Sequence, residues 1–165
     1  MDGYACMLAG GIPIYALMAA NLIAEISVQL RGSSCHVYTS DAKVRLSQSR
    51  FVYPDVTVSC DERDQQIEAK VLQSPRLVIE ILSPKTEAYD RGNKSSYYRA
   101  CPTIQEYVLV STQQRAVEVY RRASDRLWTL HAFGPNEQVN FVSIEVTLPM
   151  ATIYEYVRLL EDEEE

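Results

Sequence analysis

The sequence predicts one α/β domain built on a mixed sheet, and three observations carry that reading. An apolar face of helical period runs through residues 14–30. A strand–helix–strand succession follows at residues 76–82, 89–100 and 106–110. Shorter segments on either side of it alternate with period two and are separated by turn residues. A chain of 165 residues is long enough for one sizeable core, and no internal repeat, linker or second domain interrupts it.

Taken in order, residues 4–8 form a short apolar run closed by Gly10-Gly11. Pro13 suits the first turn of a helix, because its missing N–H would have no partner there. Ile14, Met18, Leu22, Ile26 and Leu30, with Leu17 and Ile23, then line one helical face, and Gly32 ends it. Glu25 lies beside that face, either as a solvated flank or as a carboxylate pointing at a site. Residues 35–39 and 42–46 read as strands, with a turn at Gln48-Ser49 before residues 51–53. Pro54 has no amide to donate and marks an edge or a bulge. Val56 and Val58 continue as strand, residues 61–66 form a polar loop, and Ser74-Pro75 leads into the next strand.

Residues 76–82 are almost unbroken Leu, Val and Ile, as in a central strand covered on both faces. Pro84 stops it, a helix over 89–100 follows until Pro102, and residues 106–110 form another buried strand. Residues 116–120 and 128–133 alternate as further strands, 142–148 is the last strand, and 153–160 a short terminal helix. The domain is thus expected over residues 1–160, with 161–165 a solvated, disordered acidic tail.

The net charge of −6 is concentrated in that tail, which is five consecutive acids, so the body is near neutral. A near-neutral body lacks the overall basic charge of many nucleic-acid binders, although it leaves room for a local patch. No aromatic-basic stripe is visible along the chain. The four cysteines, Cys6, Cys35, Cys60 and Cys101, have no Cys-x-x-Cys spacing, which argues against zinc. Cys35 and Cys60 fall in strand-like runs and read as small buried hydrophobes. With no signal-peptide pattern and no membrane-length apolar run, a cytoplasmic location with reduced thiols is expected.

Two carboxylates stand where a core strand should be apolar. Asp55 precedes Val56-Thr57-Val58, and Glu80 lies between Ile79 and Ile81. Burying an ionised carboxylate costs several kcal/mol unless a metal, a cation or hydrogen bonds compensate. Asp55 and Glu80 on adjacent strands could hold Mg²⁺ or Mn²⁺, because hard divalent ions take carboxylate and water oxygens. Lys94, on the following helix, could stabilise negative charge developing on a phosphate or orient the attacking water. These are the parts of a metal-dependent phosphodiesterase. Asp90 reads mainly as a helix N-terminal acid, with support of the site as the second reading, while Tyr97 and Tyr98 read as packing residues.

The same residues carry a family resemblance. Tyr53-Pro54-Asp55-Val56, then Val78-Ile79-Glu80-Ile81-Leu82-Ser83-Pro84-Lys85-Thr86, then Asp90-Arg91-Gly92-Asn93-Lys94 with Tyr98-Arg99, resemble the Uma-two family. Its members are assigned as endonucleases of the PD-(D/E)XK, or restriction-endonuclease-like, superfamily. Met7-Leu8-Ala9-Gly10-Gly11, Ala19-Ala20-Asn21-Leu22, Thr39-Ser40-Asp41 and Glu106-Tyr107-Val108-Leu109-Val110 extend the likeness up to about residue 156. The resemblance implies a restriction-endonuclease-like αβββαβ core with a mixed central sheet and additional antiparallel strands. It also implies a divalent metal on Asp55 and Glu80, a catalytic lysine, and DNA as substrate. The superfamily's usual lysine lies two positions after the acid, but Leu82 stands there; Lys94 is therefore the candidate and Lys85 the runner-up.

The leading functional expectation is a metal-dependent endonuclease acting on DNA. A non-catalytic nucleic-acid-binding or structural module of the same fold is the alternative, and a hydrolase of another phosphorylated substrate a third. A homodimer is expected only by analogy with nucleases that cut both strands.

Overall fold

Pro13 and the apolar i, i+4 spacing place the first helix, α1, at Pro13–Gln29 in the computed structural model, which describes residues 12–163. Met18, Leu22 and Ile26 lie on one stripe and are fully buried. The helix closes with the Leu30 N–H on the Ile26 carbonyl, and Gly32 then turns the chain at φ +81°, where a side chain would be strained. The apolar run at 4–8 and the Gly10-Gly11 break lie outside the described residues.

Among the described residues six strands form the central sheet: β1 (His36–Tyr38), β4 (Val56–Ser59), β5 (Pro75–Ile81), β6 (Glu106–Val110), β7 (Val117–Arg122) and β8 (Trp128–Phe133), in that spatial order. Every neighbouring pair is antiparallel except β5 and β6, which are parallel and joined by helices. Between β1 and β4 the chain forms a small separate hairpin of β2 (Val44–Arg45) and β3 (Phe51–Val52). Setting that hairpin aside, α1, β1, β4, β5, the crossover helices and β6 give the expected αβββαβ order, with β7 and β8 as additional antiparallel strands.

The crossover is where the sequence reading needs its first correction. The single helix expected at 89–100 is two, α2 (Glu87–Arg91) and α3 (Asn93–Ala100), broken at Gly92. Gly92 takes φ −95° and ψ −101°, outside the helical region, and a Cβ there would come within 3.1 Å of the Ala88 carbonyl oxygen. The expected strand at 142–148 divides as well. It contains a short 3-10 turn at Val142–Ile144 and then β10 (Val146–Pro149), which pairs with β9 (Gln138–Phe141). The terminal helix expected at 153–160 is replaced by one turn, α4 (Met150–Ile153), and a later turn, α5 (Leu160–Glu163). Part of the supposed disordered tail is therefore ordered, because Arg115 pairs with Glu161 at 3.1 Å and Asp162 at 2.8 Å.

Strand alternation divides the core between the sheet's two faces. Val56, Val58, Leu77, Ile79 and Ile81 pack toward α1, α4 and the β9–β10 hairpin. On the other face Val78 and Tyr107 pack with Tyr98 of α3 and with Val44 and Leu46 of the β2–β3 hairpin. Being covered on both sides, β5 and β6 need no polar face, which explains their continuous apolar sequence.

Cys35 and Cys60 also depart from expectation. They are joined as a disulfide, whereas reduced, independent hydrophobes were expected. The β1–β4 register pairs His36 with Ser59, so the two cysteines just beyond that pair stand opposite each other. Cys101 is buried and free. Among the described residues no helix is long and apolar enough to cross a membrane.

Leu22 sits in the α1 stripe with no exposed surface. Leu22→Ala is expected to cost about 2–5 kcal/mol, through lost burial and a cavity between α1 and the sheet. Urea denaturation checks this: a lower midpoint with an unchanged m-value is expected.

Candidate active site

The β4–β5 register explains why two carboxylates far apart in sequence meet. Val56 pairs with Ile79, so one step further along the antiparallel ladder Asp55 stands opposite Glu80. The Asp55 carboxylate is fixed by the Ile81 backbone N–H, which donates to Oδ2 at 2.8 Å. Alternation along β5 sends Ile79 and Ile81 to the α1 side and Glu80 to the α3 side. Glu80 is buried there, and α3 supplies its partners.

Lys94 and Tyr98 lie one helical turn apart on α3 and both reach Glu80. The Lys94 ammonium is 2.7 Å from Glu80 Oε1, and the Tyr98 hydroxyl donates to the same oxygen. Asp90, from the last part of α2, lies 3.7 Å from the Lys94 ammonium across the Gly92 break. The structure thus brings together Asp55, Glu80 and Lys94, the three residues singled out from sequence. Lys85 is solvent-exposed and makes no ion pair among the described residues, and Leu82 is buried in the core. Glu25 makes no hydrogen bond or ion pair with any of the three.

The electrostatics follow from placing several carboxylates around one amine in a partly dry site. Burial pushes the Asp55 carboxyl above its ordinary range, against the Ile81 N–H and the Lys94 charge, which pull it down. Burial likewise pushes Glu80 up to about 7, with Lys94 opposing the rise and the Asp55 charge adding to it. Asp90 is raised by burial and by the nearby Glu80 charge. Burial alone would depress Lys94, but Glu80, Asp90 and Asp55 outweigh it, so the amine stays protonated. Burial and the Glu80 charge also raise Tyr98 well above its ordinary value, keeping its hydroxyl a donor.

Two members of this cluster were not read correctly from sequence. Asp90 was expected mainly as a helix-end acid, yet it is buried and faces Lys94. Tyr98 was expected as packing, and it does pack, but its hydroxyl also holds Glu80. The signal for both was spacing: Asp90, Lys94 and Tyr98 recur every four residues.

Among the described residues no group of three His, Cys, Asp or Glu side chains is arranged as a metal-ligand set. Asp55 and Glu80 offer two carboxylates, and a site of that donor number and type could take Mg²⁺, which keeps several waters. A separate cleft of about 680 Å³ opens at the other ends of β5 and β6, lined in part by Arg76, Glu106 and Arg121, and does not include Asp55, Glu80 or Lys94.

The fold and the sequence have counterparts. The fold is similar to that of a solved protein from Anabaena variabilis described as a "putative nuclease belonging to DUF820". The TM-score is 0.72 at 17% identity, over 88% of this chain and 82% of that one. Residues 2–154 match the family model Uma2, described as "Putative restriction endonuclease", and the chain belongs to that family. Two curated relatives come from Synechocystis. The "Uncharacterized protein slr1290" is 31% identical over 93% of this chain and 80% of its own length, and the "Uncharacterized protein sll1609" 26% identical over 88% and 84%.

The raised Glu80 has a thermodynamic consequence. The folded carboxyl holds its proton up to about 7, whereas an unperturbed glutamate releases it near 4.5. Between those values the folded state binds more protons than the unfolded, so stability falls as pH rises. In EDTA, urea unfolding is expected to show this contribution intact below that window and lost as pH passes through about 7. Glu80→Gln should flatten the slope; an unchanged slope in that variant would reject the assignment to Glu80.

Proposed function

We propose that this chain is a divalent-metal-dependent endonuclease that hydrolyses DNA phosphodiester bonds, with Asp55 and Glu80 as metal ligands and Lys94 as the catalytic amine. The observation that carries the reading is the convergence of these three side chains at one end of β4 and β5, under α3. Membership of the Uma2 family supports the nuclease class. The donor chemistry fits the ion: burial raises both carboxyls, and the Asp55 charge raises Glu80 further, so a cation beside them would relieve a charge imbalance that one lysine leaves incomplete.

When bound, Mg²⁺ or Mn²⁺ would neutralise phosphate charge and make water a better nucleophile. The protein's own groups do the rest. The Ile81 N–H fixes the Asp55 carboxylate, and the Tyr98 hydroxyl orients Glu80. The Lys94 ammonium, kept charged by its acidic neighbours, is placed to stabilise negative charge developing on the phosphate or to orient the attacking water. Asp90, 3.7 Å from that ammonium, steadies it as a positioning residue.

One observation favours a non-catalytic module of the same fold: Glu80 Oε1 is already engaged by both Lys94 and Tyr98. Nicking of supercoiled plasmid with Mg²⁺ or Mn²⁺ separates the two readings. Asp55→Ala and Glu80→Ala are expected to abolish cleavage and calorimetric metal binding while the circular dichroism spectrum is kept. Absence of metal binding in the native chain would sink the catalytic reading.

Lys94→Ala tests the third role. It is expected to slow cleavage about 10²–10³-fold, the range for losing one preorganised charge-stabilising group, with metal affinity changed little. Equal cleavage rates in variant and native chain would remove Lys94 from the mechanism.

A further inference from the structure

The β2–β3 hairpin carries three cations held on aromatic rings. The Lys43 ammonium lies 4.6 Å from the centre of the Phe51 ring, and the Arg45 guanidinium 5.4 Å from the same centre. The Arg50 guanidinium sits 3.4 Å from the centre of the Tyr97 ring on α3. No aromatic-basic stripe was visible along the sequence, because these pairs join different strands and a helix; the folded chain has such a patch.

We propose that this hairpin is a DNA-backbone contact that guides a strand into the Asp55–Glu80 site. This rests on the endonuclease reading and adds to it a surface outside the catalytic cluster. Three features carry it. First, Lys43, Arg45 and Arg50 lie together within residues 43–50, and among the described residues none of them pairs with a carboxylate, a trait shared with scattered bases such as Arg122 and Arg126. A ring orients a cation without neutralising it, so the charge remains available to a phosphate. Second, no acid occurs between Asp41 and Asp55, in a chain whose net charge is −6. The positive charge is therefore local, and it is complementary to a polyanion.

Third, the hairpin is tied to the site on two sides. The chain leaves β3 through Tyr53-Pro54 directly into Asp55. Tyr97, the seat of Arg50, is three residues from Lys94 and so lies near its face of α3. Val44 and Leu46 anchor the hairpin from beneath in the core that also contains Tyr98. Phe51 and Tyr53, which lie between the cations and Asp55 in the chain, are exposed.

The test is binding of a short duplex oligonucleotide to the full chain in EDTA, read by fluorescence anisotropy across a salt series. Each phosphate contact contributes a slope of about −0.9 to log K against log salt. Lys43→Ala and Arg50→Ala are each expected to reduce the magnitude of the slope by about 1. Arg50→Lys should keep the slope, since it retains the charge, and Arg126→Ala, in the β7–β8 turn, should leave it unchanged. Circular dichroism verifies that each variant is folded.

An unchanged slope in folded Lys43→Ala and Arg50→Ala, or an equal reduction in Arg126→Ala, overturns the proposal. The two readings fail separately. Hairpin-dependent binding without any metal-dependent cleavage rejects the nuclease and leaves the contact standing. Cleavage abolished by Asp55→Ala, combined with unchanged slopes in the hairpin variants, rejects the contact alone. No DNA binding by the native chain in EDTA rejects the contact, and the plasmid-nicking assay with Mg²⁺ or Mn²⁺ then decides the nuclease reading by itself.

Discussion

The contact between Lys94 and Glu80 is the constraint on which the rest of the structure depends. A glutamate in the middle of a buried strand is tolerable only if the element covering it delivers a positive charge and a hydrogen bond. α3 delivers both, from Lys94 and from Tyr98 one turn later. For that turn to lie over the end of β5, the crossover has to bend, and Gly92 supplies the bend where any Cβ would crowd the Ala88 carbonyl. The break also brings Asp90 back toward the lysine. A cluster of acids around one amine is thereby built into the covering of the sheet, and its electrostatic strain is of the kind that functional sites carry.

Much of this was legible in the sequence because it follows from period and from misplaced charge. The apolar stripe of α1 and the unbroken Leu, Val and Ile of β5 fixed two layers, and the strand–helix–strand order fixed their connection. Asp55 and Glu80 stood out because a carboxylate in a strand otherwise destined for the core needs a partner. What could not be read was whatever depends on register or on the direction a helix takes. Cys35 and Cys60 face each other only because His36 pairs with Ser59. Asp90 and Tyr98 showed their four-residue spacing about Lys94, but not that Asp90 would meet the lysine across a break at Gly92 or that Tyr98 would reach Glu80. The acidic tail looked disordered by composition, yet Arg115, 46 residues earlier than Glu161, holds its first turn.

Charge is segregated across the molecule in a way that composition hides. Carboxylates gather at the Asp55–Glu80 end of the sheet, while a set of cations without carboxylate partners lies on the adjoining hairpin. The hairpin buries Val44 and Leu46, half-buries Lys43, Arg45 and Val52, and leaves residues 47–51 exposed to solvent. It interrupts the αβββαβ core between β1 and β4 and leaves the sheet order undisturbed, which allows it to add a surface without altering the site. The cleft at the opposite end, between Arg76 and Arg121, is structurally committed in part: Glu106 pairs with Arg121 at 3.0 Å and accepts the Ser143 N–H.

The central claim is that Asp55 and Glu80 form one divalent-ion site, and a crystal soaked in Mn²⁺ tests it most directly. The account predicts an anomalous-difference peak between the two carboxylates, with Lys94 remaining beside the site. Saturating Mn²⁺ with no peak there, or with the ion bound only elsewhere, would contradict it.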